Sequence, residues 1–153
     1  MARRDTRNCC LFDVESVLKN GFEIGNLCYN EPKTLNVAFD VIGDIVLSAA
    51  SQQYGGFTVP SVDLLLEPYA ERSYKMMTEK YTRLGLDADT VEKEVMADIL
   101  NDFEQGFQGW EYKFNTVASS RGDYPFITMT MGTGTGRFAK LASITMLNVR
   151  RKG

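Results

Sequence analysis

The chain has 153 residues, 44% of them apolar and 24% charged, and a formal net charge of −3 from 17 basic and 20 acidic side chains. That is one domain's worth of sequence with enough apolar mass for a core, and the charge gives no electrostatic case for binding a nucleic acid polymer. Histidine is absent and the three cysteines include no CxxC pair, which excludes the common zinc, haem and catalytic-triad sets and a disulfide scaffold.

Residues 1–8 are polar and charged and are expected to fray. No signal-type apolar stretch follows them and no run is long enough to span a membrane, so the cytoplasm is the expected compartment. Cys9, Cys10, Leu11, Phe12 and Val14 read as a buried strand. Residues 15–19 predict a helical turn closed by Asn20-Gly21. The stretch 20–33, rich in glycine and asparagine, reads mainly as loop. From Thr34 to about Gln53 the apolar positions, among them Leu35, Ala38, Phe39, Ile42 and Val46, repeat every three to four residues. The stripe is wide enough to predict a helix covered on more than one side, with Gly43 leaving room for a close neighbour.

Tyr54-Gly55-Gly56 ends that helix, and Phe57-Thr58-Val59 is a short extended piece before Pro60. Ser61 is the expected cap of a helix running to about Leu84, kinked or interrupted at Pro68 and stopped by Gly85. Asp89 and Glu92 fit a capping box for the longest amphipathic pattern, which runs to about residue 117 through Val91, Val95, Ile99, Phe103 and Trp110. Pro125–Met131 reads as a strand, 132–136 as a turn, and Arg137 to about Val149 as a last helix. Two short strands cannot make a sheet under so much helix. Either strands are hidden in the pattern or further sequence supplies them.

Four places have residues suited to chemistry. On a strand, Cys9 and Cys10 point to opposite faces, so one thiol can line a site while the other packs; both packing and redox roles are open. Gln52 and Gln53 bring amide groups to a helix end, which is equally the composition of a plain C-cap. Lys33, with Glu31 and Pro32, precedes a helix start, where a lysine either meets an anion or is merely solvated. Gly132-Thr133-Gly134, within the turn 132–136, either packs tightly or presents amides to phosphate; the segment fits neither the P-loop nor the GxGxxG pattern. Arg121-Gly122-Asp123 carries the letters of an adhesion triplet and is set aside.

Asn8-Cys9-Cys10-Leu11, then Asn20 to Gly25, Pro32-Lys33-Thr34, Ala50 to Gly56, Tyr112 to Thr116 and Pro125 to Thr128 stand in consistent order along nearly the whole chain. Together these segments resemble the start of the catalytic barrel of the anaerobic, glycyl-radical ribonucleoside-triphosphate reductases. The resemblance implies a helix-rich α/β fold, with residues 1–153 forming a partial domain that opens a ten-stranded α/β barrel. It implies conversion of ribonucleoside triphosphates to deoxyribonucleoside triphosphates, with formate as reductant. Cys9 matches the family's first-strand cysteine, which takes part in reducing the substrate. Lys33 matches a lysine that contacts deoxynucleotide effectors at a dimer interface. Asn30 stands where relatives carry an acidic residue, and Glu31 lies one position later.

The resemblance further implies that the ATP-binding regulatory domain, the thiyl cysteine, the glycyl radical and the structural zinc site belong to other segments of the parent, leaving no cofactor of this segment's own. Expected partners are the rest of the reductase, a radical-SAM activating enzyme, the nucleotide substrate and effectors, and a second copy of the chain. The isolated chain is then expected to be inactive. The competing reading is a noncatalytic nucleotide-binding or interaction module built on the same segment.

Overall fold

The computed structural model describes residues 9–24, 27–53, 55–116, 124 and 126–152. Expectations for residues 1–8, Tyr54, Val117, Arg121-Gly122-Asp123 and Pro125 fall outside them. The elements are β1 (Cys10–Leu11), α1 (Val14–Asn20), β2 (Phe22–Ile24), β3 (Leu27–Tyr29), α2 (Leu35–Ala50), β4 (Phe57–Val59), α3 (Val62–Arg83), α4 (Ala88–Thr116), β5 (Ile127–Met129) and α5 (Arg137–Lys152). The result is a helix-rich α/β fold with small open sheets, and no barrel closes among the described residues.

The three short parallel strands form one sheet in the order β1-β4-β5. The piece 57–59 is therefore its central strand and not a connector. Phe57 and Val59 are fully buried there on either side of Thr58, and three residues are too few to show a long alternating pattern. The stretch 20–33 departs from expectation. It holds the antiparallel pair β2 and β3, with Phe22 stacked on Tyr29 at 4.6 Å between ring centroids. A cross-strand aromatic pair supports strands this short.

Helix α2 packs against α4, α3 and α1. Leu35, Ala38, Phe39, Ile42 and Val46 are buried, and Phe39 meets Phe103, Phe107 and Trp110 of α4 edge-on. Edge-to-face contacts put the positive ring edge on a negative ring face. Trp110 Nε1 donates to the Phe39 carbonyl at 2.8 Å. Gly43 allows this approach: a Cβ there would lie 3.1 Å from the indole nitrogen.

Helix α3 runs unbroken through Pro68. The expected cap Ser61 sits in left-handed geometry (φ 48°, ψ 54°) and makes no side-chain cap bond. Its amide donates instead to Thr130 Oγ1 at 2.8 Å, which ties the exit of β4 to the exit of β5. Gly85 stops the chain after α3 with φ +82°.

The α4 cap also differs from the expected box. Asp87 accepts from the Thr90 amide at 3.0 Å and from its hydroxyl at 2.7 Å. Glu92 instead binds Tyr74 Oη and Arg137, joining α3, α4 and α5. A helix start is decided by whichever short acid lies outside the first turn, and Asp87 is better placed than Asp89. The Thr90 bonds hold the Asp87 carboxyl below the ordinary range. Its stabilising effect is therefore present above the unfolded pKa of about 4 and lost as pH falls through the lower folded value. Asp87→Ala is expected to lower the melting temperature at pH 7. The difference from wild type should disappear in strongly acidic buffer; equal melting temperatures at pH 7 would rule the cap out.

Candidate functional site

The sheet has two unlike faces. Phe57, Val59, Cys10, Ile127 and Met129 turn toward the helices and pack with the core. On the opposite face Leu11 is 76% exposed, Phe126 is 80% exposed and Thr128 is exposed. Side chains alternate along a strand, so Cys9 falls on the open face and Cys10 on the packed one. Cys9 is exposed and Cys10 is half-buried. Burial first, and then the neighbouring Cys9 thiol, pushes the Cys10 thiol up.

Gly56 explains how Cys9 fits. The Cys10 amide donates to the Gly56 carbonyl at 3.0 Å, and the Phe57 amide to the Phe126 carbonyl at 2.8 Å. Cys9, Gly56 and Phe126 thus form a row across the sheet. A Cβ on Gly56 would lie 3.8 Å from Cys9 Sγ, so the missing side chain leaves space beside the thiol. Gln52 and Gln53 lead into this row from the end of α2, their amides returning to the Ala49 and Ala50 carbonyls at 3.1 Å each. Gln52 is exposed and Gln53 half-buried. The fold therefore brings Gly56 beside Cys9, while Gln52 and Gln53 precede it along the chain at the end of α2.

Lys33 and the residues near it form a second locus. Lys33 is exposed one residue before Thr34, the N-cap of α2. The 16-residue helix between it and Gln52 spans about 24 Å. Asn30 is exposed. Glu31 is engaged by the protein itself: Arg72 Nη2 reaches its carboxylate at 3.0 Å and Tyr69 Oη at 3.4 Å. Arg72 also donates to the Pro32 carbonyl at 3.1 Å. Burial, followed by the Glu31 charge, pushes the Tyr69 phenol up to about 12. The Leu35 amide at the helix start is taken by buried Ser73 Oγ at 2.8 Å.

Gly132-Thr133-Gly134 lies past the other end of the sheet, after β5, and is not brought to Cys9. Its amides face inward. Those of Gly132 and Gly134 donate to Asp63 Oδ2 at 3.0 and 2.7 Å. Sequence reasoning did not single out Asp63. It looks like any acid in a helix's first turn, and its partners lie about seventy positions away.

Other described residues form cavities. One of about 310 Å³ lies between α4, β5 and α5, walled by Trp110, Phe114, Met129 and Met146. Another of about 260 Å³ opens past β1 and β4, between Asp13, Pro60, Ser61 and Leu64. Neither is lined by Cys9, Lys33 or the glutamines. Among the described residues no group of three or more acidic or thiol side chains is placed to hold a metal ion. No described helix is long and apolar enough to cross a membrane.

Comparison with known proteins matches this chain along its full length. A family model described as anaerobic ribonucleoside-triphosphate reductase covers residues 1–153. The anaerobic ribonucleoside-triphosphate reductase of Enterobacteria phage T4 is 40% identical over 154 residues, which is 95% of this chain and 24% of that protein. The protein of the same name from Haemophilus influenzae is 34% identical over 148 residues, 95% of this chain and 20% of its own length. The Escherichia coli protein is 30% identical over the same span and shares. The chain thus spans a fifth to a quarter of the length of the curated relatives it matches.

Proposed function

This chain belongs to the anaerobic ribonucleoside-triphosphate reductase family, and from that premise we propose that it forms the opening wall of the catalytic barrel, with Cys9 as the reducing thiol that meets the ribose. In this reading the enzyme converts ribonucleoside triphosphates to deoxyribonucleoside triphosphates, with formate as overall reductant. The hydrogen-abstracting thiyl and the glycyl radical are carried by other segments of the reductase, as is the structural zinc. The isolated chain then does not turn over.

The observation that supports this most is the unequal placement of two adjacent thiols. Cys9 is exposed on the open sheet face beside Gly56, while Cys10 packs against the core. A thiol that meets a substrate must be accessible and must have unfilled space next to it. The open face carries Phe126 and Thr128 alongside, an apolar ring and a hydroxyl suited to the side of a sugar. Lys33, exposed before α2, is the proposed contact for the phosphates of a deoxynucleotide effector. The partners that follow are the activating enzyme and a second copy of the chain.

Two measurements test the thiol. In the complete activated reductase carrying this segment, Cys9→Ser is expected to abolish deoxynucleotide formation, whereas Cys10→Ala retains it. In this chain with Cys28→Ser, a maleimide should label Cys9 at least about tenfold faster than Cys10, because partial burial restricts access to the Cys10 thiol and disfavours its thiolate. Turnover by the Cys9→Ser enzyme, or faster labelling of Cys10, would reject the assignment.

A further inference from the structure

The Asp63 carboxylate is buried, with 1% of the residue exposed. Oδ2 accepts from both the Gly132 and Gly134 amides, and Oδ1 has no hydrogen-bond partner among the described residues. Burying a carboxylate with one oxygen unsatisfied is unfavourable. Two backbone amides converging on one oxygen are the arrangement by which a glycine-rich turn grips an anion. Here the anion is the protein's own side chain.

The surroundings fit an anion that comes and goes. Gly132 has φ +93°, a conformation that glycine adopts without strain. A Cβ on Gly134 would come within 2.3 Å of Ala139 Cβ and 3.0 Å of Asp63 Oδ2, so a side chain there would hold the turn away from Asp63. Gly132, Thr133 and Thr135 are nonetheless exposed on the outer side. The turn feeds into the 16-residue helix α5, whose first turn presents Lys140 to solvent and holds Arg137 paired with Glu92. A helix start and the exposed Lys140 favour negative charge, and the Glu67 carboxylate already lies against Gly136 at that start.

We propose that Gly132-Thr133-Gly134 is a nest for a polyphosphate, held shut by the Asp63 carboxylate and opened when a nucleotide's phosphates displace it. The inference rests on reading the chain as a nucleotide-handling segment, but its test needs no turnover. Negative charge beside the nest opposes a second anion strongly at hydrogen-bonding range. Removing that charge therefore raises affinity, whereas a purely structural clamp would only loosen.

The test uses this chain, inorganic tripolyphosphate as probe, titration calorimetry, and hydrogen exchange read over residues 130–137. Asp63→Asn is expected to bind tripolyphosphate about tenfold or more tightly than wild type. Asp63→Ala should do the same, and binding should slow exchange within 130–137. The proposal is overturned if either variant, with wild-type circular dichroism, binds no better than wild type or is protected only elsewhere. Should neither variant fold, the wild-type chain at saturating tripolyphosphate decides: altered exchange at 132–134 supports the nest, and unaltered exchange refutes it. A negative result here leaves the Cys9 labelling outcome untouched, so the two readings fail separately.

Discussion

Phe103→Ala is expected to lower the unfolding free energy by about 3–5 kcal/mol. Phe103 has no solvent exposure and lies on the α4 face that meets α2. Its ring meets Phe39 edge-on at 6.1 Å and stacks on Phe107 at 6.1 Å. Truncation removes a whole ring from between helices that are each held by other contacts, including the Trp110 bond to the Phe39 carbonyl. Such a site collapses only partly, so the loss combines transfer energy with a residual cavity. Against a typical total of about 5–15 kcal/mol this is a large fraction. Urea denaturation should show a lower midpoint with little change in slope. Leu100 on the same helix is 39% exposed, and Leu100→Ala should cost less than about 1 kcal/mol. Comparable losses at the two positions would mean that α2 and α4 do not pack as described.

Gly106→Ala and Gly109→Ala should move stability in opposite directions. Both glycines lie inside α4, where alanine is intrinsically better by about 0.5–1 kcal/mol. At Gly109 an added Cβ meets nothing within 4 Å, so that gain is realised. At Gly106 it would stand 2.3 Å from two atoms of the Phe39 ring. That ring packs against Phe103, Phe107 and Trp110, so making room for the Cβ disturbs all three contacts. Overpacking of this kind costs about 1–3 kcal/mol, which outweighs the propensity gain. Thermal melts of the two variants against wild type give the sign directly. A stabilised Gly106→Ala chain would show that the two helices sit further apart.

The helices were legible because each carries its own signal. The 3.6-residue repeat of Val91, Val95, Ile99 and Phe103 marks α4, and all four are buried. Gly85 marks a stop, and does so with positive φ. What escaped reading was whatever depends on a partner far along the chain. The β2–β3 hairpin is three residues a side and is supported by the Phe22–Tyr29 stack, which no single-strand pattern reveals. Asp89 and Glu92 fit the capping spacing just as well as Asp87 and Thr90 do. Glu92 is drawn away by Tyr74 and Arg137, residues of two other helices.

The candidate site divides the same way. The order of the segments around Cys9, Lys33 and Gln52 was enough to indicate the family, because side-chain identity and spacing are properties of the chain itself. Which thiol is accessible was only permitted by strand alternation. It was decided by β4, which lies against β1 and buries Cys10 while leaving Gly56 beside Cys9. Likewise Asp63 and Gly134 are ordinary residues until the β4 and β5 exits are joined at Ser61 and Thr130. Local periodicity and turn chemistry act over a few residues and can be read along the chain, whereas burial and hydrogen bonding at the sheet are set by contacts about fifty to seventy positions apart, which exist only once the chain has folded.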